Sequence, residues 1–210
     1  TGFYQDEREI AVMGLQNATV FIDVTDPYNP FEINRISGGN SIWRDLKYWD
    51  RHVYIGTEAD DGIKIVSVNN LDSPELVNTI TDVDNSHNIH IDADGYLYIV
   101  GADEHDIWIY DLTYPNNPVL VGTWNLQNNQ SSANGYCHDI EVYNDKIYCA
   151  SIYVGYFYII DVSDKSSPYT LATYNTGGGE ISTHDCAVTF DEQYLITGDE
   201  SLGGHVKIWD

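Results

Sequence analysis

Imidazole and carboxylate side chains recur in this sequence in one pattern, and both are groups that bind metal ions or transfer protons. In each occurrence a cationic or imidazole residue is followed by Asp or Asn. The four pairs are Arg44-Asp45, His87-Asn88, His138-Asp139 and His184-Asp185. Because the residues around them differ, the pattern indicates equivalent positions in a repeated fold rather than a local motif.

The elements that would position these pairs are the units of an internal repeat. An alternating apolar segment that ends at a proline occurs four times, at Thr19–Pro30, Ile63–Pro74, Ile107–Pro118 and Phe157–Pro168. A fifth copy begins at Val206. The period is about 45 residues, which is typical of solenoids and propellers.

Each period contains four short runs that are rich in Ile, Val, Tyr and Trp and are separated by turn residues such as Asp94-Gly95. No helical apolar period extends beyond one turn. The fold class predicted is therefore all-β, a β-propeller of four-stranded antiparallel blades. About five blades are represented, the first and last of them incomplete, with boundaries near residues 40, 84, 134 and 180. We expect residues 1–210 to form a single β-propeller domain that is a fragment of a longer one, because a propeller must close to protect its edges.

In a propeller the first strand of each blade lines the central channel, and it starts on the face that carries the loop between strands two and three. Those loops are acidic here, at residues 58–61, 103–106 and 199–204. The sequence thus predicts a ligand-binding site at the channel mouth, which the polar segment 127–135 is expected to overhang. The residues expected in this site are Arg44, Asp45, Asp139, Asp185, Asp103, Glu104, Asp199 and Glu200.

The histidines of the pattern, His87, His138 and His184, allow three interpretations. They are ligands of a divalent metal such as Zn, Fe or Cu. They orient a ligand or exchange protons with it. Or they form hydrogen bonds between blades, as Asp-His networks do in WD-repeat proteins. This structural role is favoured over a metal or small-ligand site, and both are favoured over catalysis. Arg44 argues against a symmetric metal cage, because a guanidinium repels a cation and is better suited to holding a carboxylate.

The charge of the chain excludes several partners. With 9 basic and 33 acidic residues the net charge is −24, which repels nucleic acid and anionic membrane surfaces. No apolar run is long enough for a transmembrane segment.

The three cysteines lack the spacing of a metal motif. Cys149 and Cys186 lie on inner strands of neighbouring repeats, where they could meet. The favoured interpretation of Cys137, Cys149 and Cys186 is nevertheless that of small buried thiols.

The repeats resemble those of a known family. The segments FIDVTDPYNP and IIDVSDKSSP resemble the LVIVD repeat, and the ordered series WRDLK, HNIHID, GYCHDIEV and STHDCAVTFDEQYLITGDE is similar to that of choice-of-anchor B proteins. Cys137 departs from the family, which tends to have Thr before the histidine. The resemblance implies a secreted or bacterial cell-surface propeller, and it implies that the histidines are a family feature.

Two functions from different classes follow. The first is an extracellular or cell-surface binding module that recognises a protein, a small molecule or a glycan through its channel-mouth face. The second is a metal-binding protein or a metal-dependent enzyme that uses the three histidines. In either case we expect further blades of the same protein as partners.

Overall fold

The computed structural model describes residues 1–126, 137–177 and 182–210, and within these ranges all regular structure is β-strand. The strands form five sheets, in which consecutive strands pair in chain order. The first sheet contains β1 (Gly2–Gln5), β2 (Arg8–Leu15), β3 (Ala18–Asp23) and β4 (Phe31–Ser37), and the second contains β5 (Arg44–Trp49), β6 (His52–Thr57), β7 (Ile63–Ser67) and β8 (Glu75–Ile80).

The remaining three sheets continue the series. The third contains β9 (Asn88–Ile91), β10 (Tyr96–Val100), β11 (Ile107–Asp111) and β12 (Val119–Trp124). The fourth contains β13 (Cys137–Tyr143), β14 (Lys146–Ser151), β15 (Tyr156–Asp161) and β16 (Tyr169–Asn175). The fifth contains β17 (Thr183–Val188), β18 (Leu195–Asp199) and β19 (Val206–Trp209).

The prediction of four-stranded antiparallel units is confirmed, with one correction. The first blade is not incomplete, because β1 pairs antiparallel with the start of β2, from Gly2 opposite Ala11 to Gln5 opposite Arg8. This strand has only 4 residues, so its alternation is too short to stand out in the sequence. The fifth sheet has three strands.

The recurring prolines follow a recurring turn. After the third strand of four blades, a backbone N–H one residue before the proline donates to the carbonyl three residues earlier. The donor and acceptor pairs are Asn29 and Asp26, Ser73 and Asn70, Asn117 and Tyr114, and Ser167 and Asp164. The sequence repeat is therefore a repeat of backbone hydrogen bonding.

Two compact units make up the described chain. One consists of residues 1–96 and 111–119, and the other of residues 97–110 and 120–210. The core of the first unit is built from inward-facing strand residues such as Ile10, Phe21 and Val53. The corresponding cluster in the second unit includes Tyr148, Phe157 and Leu195. Alternation along each strand places these apolar side chains on buried faces.

The cysteines correct the expectation of three buried thiols. Cys137 and Cys149 form a disulfide, with their Cα atoms 5.8 Å apart. Cys137 pairs with Ser151 across β13 and β14, and Cys149 lies two residues before Ser151, so its side chain is a diagonal neighbour on the same face. Cys186 is a buried free thiol, and burial raises its pKa well above the usual range.

Candidate functional site

The sequence pattern of paired residues lies at the starts of four first strands. In each, the Asp or Asn side chain accepts a hydrogen bond from the backbone N–H of the residue that follows it. These bonds join Asp45 to Leu46, Asn88 to Ile89, Asp139 to Ile140 and Asp185 to Cys186, at 2.8, 2.8, 2.8 and 2.7 Å. A short polar side chain at this position therefore has a repeated local task, which is to satisfy a backbone donor at the strand start.

Asp45 also links two blades of the first unit. Its carboxylate accepts hydrogen bonds from Lys47 Nζ at 2.8 and 2.6 Å, and from the backbone N–H of Ile89 at 3.0 Å. Both oxygens are thus occupied by the protein. The lysine charge and the backbone donor hold this carboxylate at the junction of β5 and β9.

Arg44 is held by main-chain carbonyls. Its Nε–H donates to Leu15 O at 2.8 Å, and its Nη2 donates to Gln16 O at 3.3 Å and to Gly39 O. Burial lowers the pKa of the guanidinium, and the negative charge of Asp61 opposes that effect. Arg44 therefore ties the turn after β2 to the segment that precedes β5.

A pocket opens beside Arg44 in the first unit. Its volume is about 530 Å³, and it is lined by Gly14, Leu15, Gln16, Ser41, Ile42, Trp43 and Arg44. Ile42 is 93% exposed and Trp43 is 39% exposed. A concave surface with exposed apolar and aromatic groups and a few polar ones is the usual form of a ligand site.

Trp43 is held in place from several sides. Its ring stacks on the imidazole of His87, with centroids 4.5 Å apart and 11° between the planes. Ser41 Oγ bonds both the N–H and the carbonyl of Trp43, and Thr57 Oγ1 donates to the same carbonyl. His87 Nδ1 in turn bonds Glu58 Oε1 at 2.8 Å. The indole is therefore ordered even though much of it faces solvent.

The other two histidines of the pattern meet in the second unit. The rings of His138 and His184 lie 4.3 Å apart, and His138 Nδ1 donates to the carbonyl of His184 at 3.0 Å. His184 Nε2 lies 3.8 Å from Glu200 Oε2. His138 is buried, whereas the side chains of His184 and Glu200 are 31% and 60% exposed.

The acidic residues predicted on the loops differ in their surroundings. Asp199 accepts hydrogen bonds from Lys207 Nζ and from the backbone N–H of His205 through one oxygen. Its other oxygen is buried and has no hydrogen-bond partner in the described ranges. Asp103 and Glu104 are exposed, and Glu104 has a positive φ of 68°. Glu200 lies beside a histidine of the pattern, His184, as Glu58 of the first acidic loop lies beside His87.

No set of three or more His, Cys, Asp or Glu side chains in residues 1–126, 137–177 and 182–210 is arranged to hold a metal ion. His87 pairs with Glu58 in one compact unit, and His138 contacts His184 in the other. Segment 127–135 and the boundaries expected near residues 134 and 180 lie outside the described residues.

Sequence reasoning missed the residues that shape the pocket. Ile42 and Trp43 are an apolar pair within the polar stretch GGNSIWRD. An apolar pair that stands alone ahead of a strand is the sequence signal by which they could have been found. The stacking of Trp43 on His87 had no such signal, since it joins two different blades.

Known structures identify the fold as a β-propeller. The β-propeller domain of Cps50 (Swd1) from Myceliophteria thermophila matches 98% of this chain with a TM-score of 0.69 at 10% identity, and the chain spans 67% of that protein. The periplasmic gluconolactonase PpgL of Pseudomonas aeruginosa matches the whole chain with a TM-score of 0.67 at 10% identity, over 70% of its own length. For the dihydro-heme d1 dehydrogenase NirN the TM-score is 0.67 at 17% identity, but the chain spans only 43% of that protein.

These likenesses show the fold alone, because every sequence identity is far below the level at which function is shared. No family model matches the sequence, and no curated protein does. Within the described residues there is no helix long and apolar enough to cross a membrane.

Proposed function

We propose that this protein is a β-propeller binding module and that its ligand occupies the pocket formed by residues 14–16 and 41–44. The observation that carries the proposal is the pair Ile42 and Trp43, which is solvent-exposed on a concave surface of about 530 Å³. Exposed apolar groups that line a cavity mark interaction sites, whereas scattered ones on convex surfaces do not.

The order of the pocket favours recognition over incidental exposure. Trp43 is stacked on His87 and bonded at its backbone by Ser41 and Thr57. Because the ring is already held in place, binding a ligand to it costs little side-chain entropy. An indole held in this way is the kind of anchor that dominates binding energies.

The chemistry of the pocket indicates a ligand with a flat apolar face and an acceptor oxygen. Trp43 offers its ring. Arg44 Nε and Nη2 are occupied by main-chain carbonyls, whereas the N–H groups of Nη1 make no hydrogen bond within the described residues. The net charge of −24 disfavours polyanions. A neutral glycan or a small polar molecule meets these three requirements of shape, hydrogen bonding and charge.

An extracellular or cell-surface location belongs to the same proposal. Its supports are the Cys137–Cys149 disulfide, which is typical of oxidising compartments, and the strongly acidic composition. The resemblance to LVIVD repeats and choice-of-anchor B proteins, seen in FIDVTDPYNP and in the ordered WRDLK and HNIHID segments, adds a third support.

The alternative is a metal-binding protein or a metal-dependent enzyme. Its candidate residues are His138 and His184, which are in contact, and Glu200 beside His184. Imidazole and carboxylate groups are metal-ligand types. Elemental analysis of purified protein and of a His138→Ala variant tests it. Stoichiometric metal that is lost in the folded variant supports the alternative, and its absence from the unmodified protein excludes it.

A ligand panel tests the binding proposal. Neutral oligosaccharides are screened by thermal shift against the protein, a Trp43→Ala variant and a Tyr28→Ala control. Tyr28 is 91% exposed in the same compact unit, so its loss controls for removal of an aromatic ring. We expect a shift that disappears only in the Trp43 variant. A shift that survives in that variant would place binding elsewhere.

A further inference from the structure

The turn between strands one and two repeats along the chain and defines equivalent residues. In three blades it has two residues with positive φ: Asp6 and Glu7, Asp50 and Arg51, and Asn144 and Asp145. In the second, third and fourth blades the last residue of this turn accepts a hydrogen bond from the N–H that follows strand three: Val68 donates to Arg51, Leu112 to Gly95, and Val162 to Asp145. In the first blade the corresponding N–H, that of Val24, donates to Glu9, two residues past the turn. Gly95, with φ of 83°, is therefore the third-blade equivalent of Arg51.

At the junction of the first two blades this turn carries a bidentate ion pair. Arg51 Nη1 and Nη2 donate to the two carboxylate oxygens of Asp6 at 3.0 and 2.8 Å. The fork of a guanidinium matches the two oxygens of a carboxylate, which makes this pair geometrically specific. A guanidinium from the next blade thus meets the first turn residue of the preceding blade.

At the following junction the carboxylate is present and the guanidinium is not. Asp50, like Asp6, is the first of the two positive-φ residues of its turn, but Gly95 has no side chain to offer it. The space is a cavity of about 450 Å³, lined by Trp49, Asp50, Asp94, Gly95, Leu112 and Thr113. Neither the Asp50 nor the Asp94 carboxylate makes a hydrogen bond or an ion pair with the described residues.

Trp49 supplies an aromatic wall to this cavity. Its ring packs so closely on Gly95 that a Cβ at residue 95 would come within 2.7 Å of Trp49 Cζ2. An aromatic face beside carboxylates attracts organic cations by cation–π and charge interactions together. Trp49 ends the strand that Arg44 begins, and six residues of strand put about 16 Å between them. This cavity is therefore separate from the Trp43 pocket.

We propose that the cavity at Gly95 binds a guanidinium group, in the place that Arg51 fills one blade earlier. Asp50 and Asp94 supply the acceptors and Trp49 the aromatic face. The group comes either from an arginine side chain of a peptide or from a small guanidinium compound.

Titration with Nα-acetyl-L-arginine methylamide, followed by tryptophan fluorescence, tests the proposal. We expect saturable binding in the millimolar range, weakened about tenfold by Asp50→Asn, because a charge-assisted hydrogen bond is lost. Asparagine tolerates the positive φ of Asp50, so this variant keeps the turn. Asp82→Asn removes the same charge from an exposed carboxylate of the same unit and is expected to leave binding unchanged.

Three results would overturn the proposal: no saturable binding, equal binding of the neutral acetyl-citrulline methylamide, or equal loss in the Asp50 and Asp82 variants. Methylguanidinium and the peptide Gly-Arg-Gly distinguish the two sources. Tighter binding of the peptide assigns the site to an arginine side chain, and equal affinities assign it to a small guanidinium compound. Both outcomes support the binding of a guanidinium group in this cavity.

Discussion

The imidazole of His87 lies flat against the indole of Trp43, with 4.5 Å between the ring centroids. The two residues belong to consecutive sheets, and Glu58 fixes the imidazole through its Nδ1. A histidine of the repeated pattern thus supports the aromatic wall of the Trp43 pocket.

Arg44 is expected to be a major contributor to stability. Arg44→Ala removes donors from three main-chain carbonyls, and we expect a loss of about 2–4 kcal/mol in the free energy of unfolding. Arg44→Lys should lose nearly as much, because an ammonium lacks the planar fork. Urea denaturation measures both.

Arg35→Ala is the matched control for Arg44, since Arg35 is half exposed and pairs with Glu32 three residues away on the same strand. Its loss should change the free energy of unfolding by less than about 0.5 kcal/mol. Equal effects of the two substitutions would contradict the anchoring role of Arg44.

The disulfide predicts a pattern of thiol labelling. In the native protein no cysteine should react with iodoacetamide, because Cys137 and Cys149 are bonded and Cys186 is buried. Denaturant alone should expose one thiol, and denaturant with reductant three. Mass spectrometry counts the labels, and three labels without reductant would show that the disulfide is absent.

Removing the disulfide should also weaken the fold. The double variant Cys137→Ser, Cys149→Ser opens a loop with a sequence separation of 12 residues, and closure of such a loop contributes about 3 kcal/mol. Urea denaturation of the variant measures the loss. A free energy of unfolding unchanged from the oxidised protein would contradict this expectation.

Histidine protonation should destabilise the protein on the acid side. Burial, together with the positive charge of Lys47, lowers the pKa of His90 below its ordinary value of 6.5. The unfolded chain therefore takes up a proton at a pH where the folded chain does not. The free energy of unfolding is therefore undiminished by His90 above pH 6.5. It declines as the pH falls from 6.5 towards the folded-state pKa of His90, by up to about 1.4 kcal/mol per pH unit.

A His90→Gln variant tests this linkage. Its free energy of unfolding should depend less steeply on pH below 6.5 than that of the unmodified protein. His205→Gln, at an exposed histidine, is the control for the loss of an imidazole. An identical slope for the His90 variant would show that its protonation is not coupled to folding.

The sequence predicts the blades well because the same residue types recur at equivalent positions in each repeat. Proline turns, alternating strands and the Asp or Asn at each strand start all recur, and the structure gives each the same hydrogen bonds. β1 was missed because four residues carry too little alternation.

The site was predicted less completely than the fold. The positions of Arg44 and the histidines follow from the repeat, but their partners do not. The stack of His87 on Trp43 and the contact of His184 with Glu200 depend on linker paths and rotamers that differ between blades. The Cys137–Cys149 bond depends on a diagonal register that spacing alone does not specify.

Fluorine NMR of protein labelled with 5-fluorotryptophan tests the Trp43 pocket most directly. The chain has 5 tryptophans, and a Trp43→Phe variant assigns the resonance of Trp43. On addition of an oligosaccharide that gives a thermal shift, we predict that the Trp43 resonance moves and saturates while those of Trp49, Trp108, Trp124 and Trp209 stay in place. A stationary Trp43 resonance under saturating ligand would contradict the assignment of this pocket as the binding site.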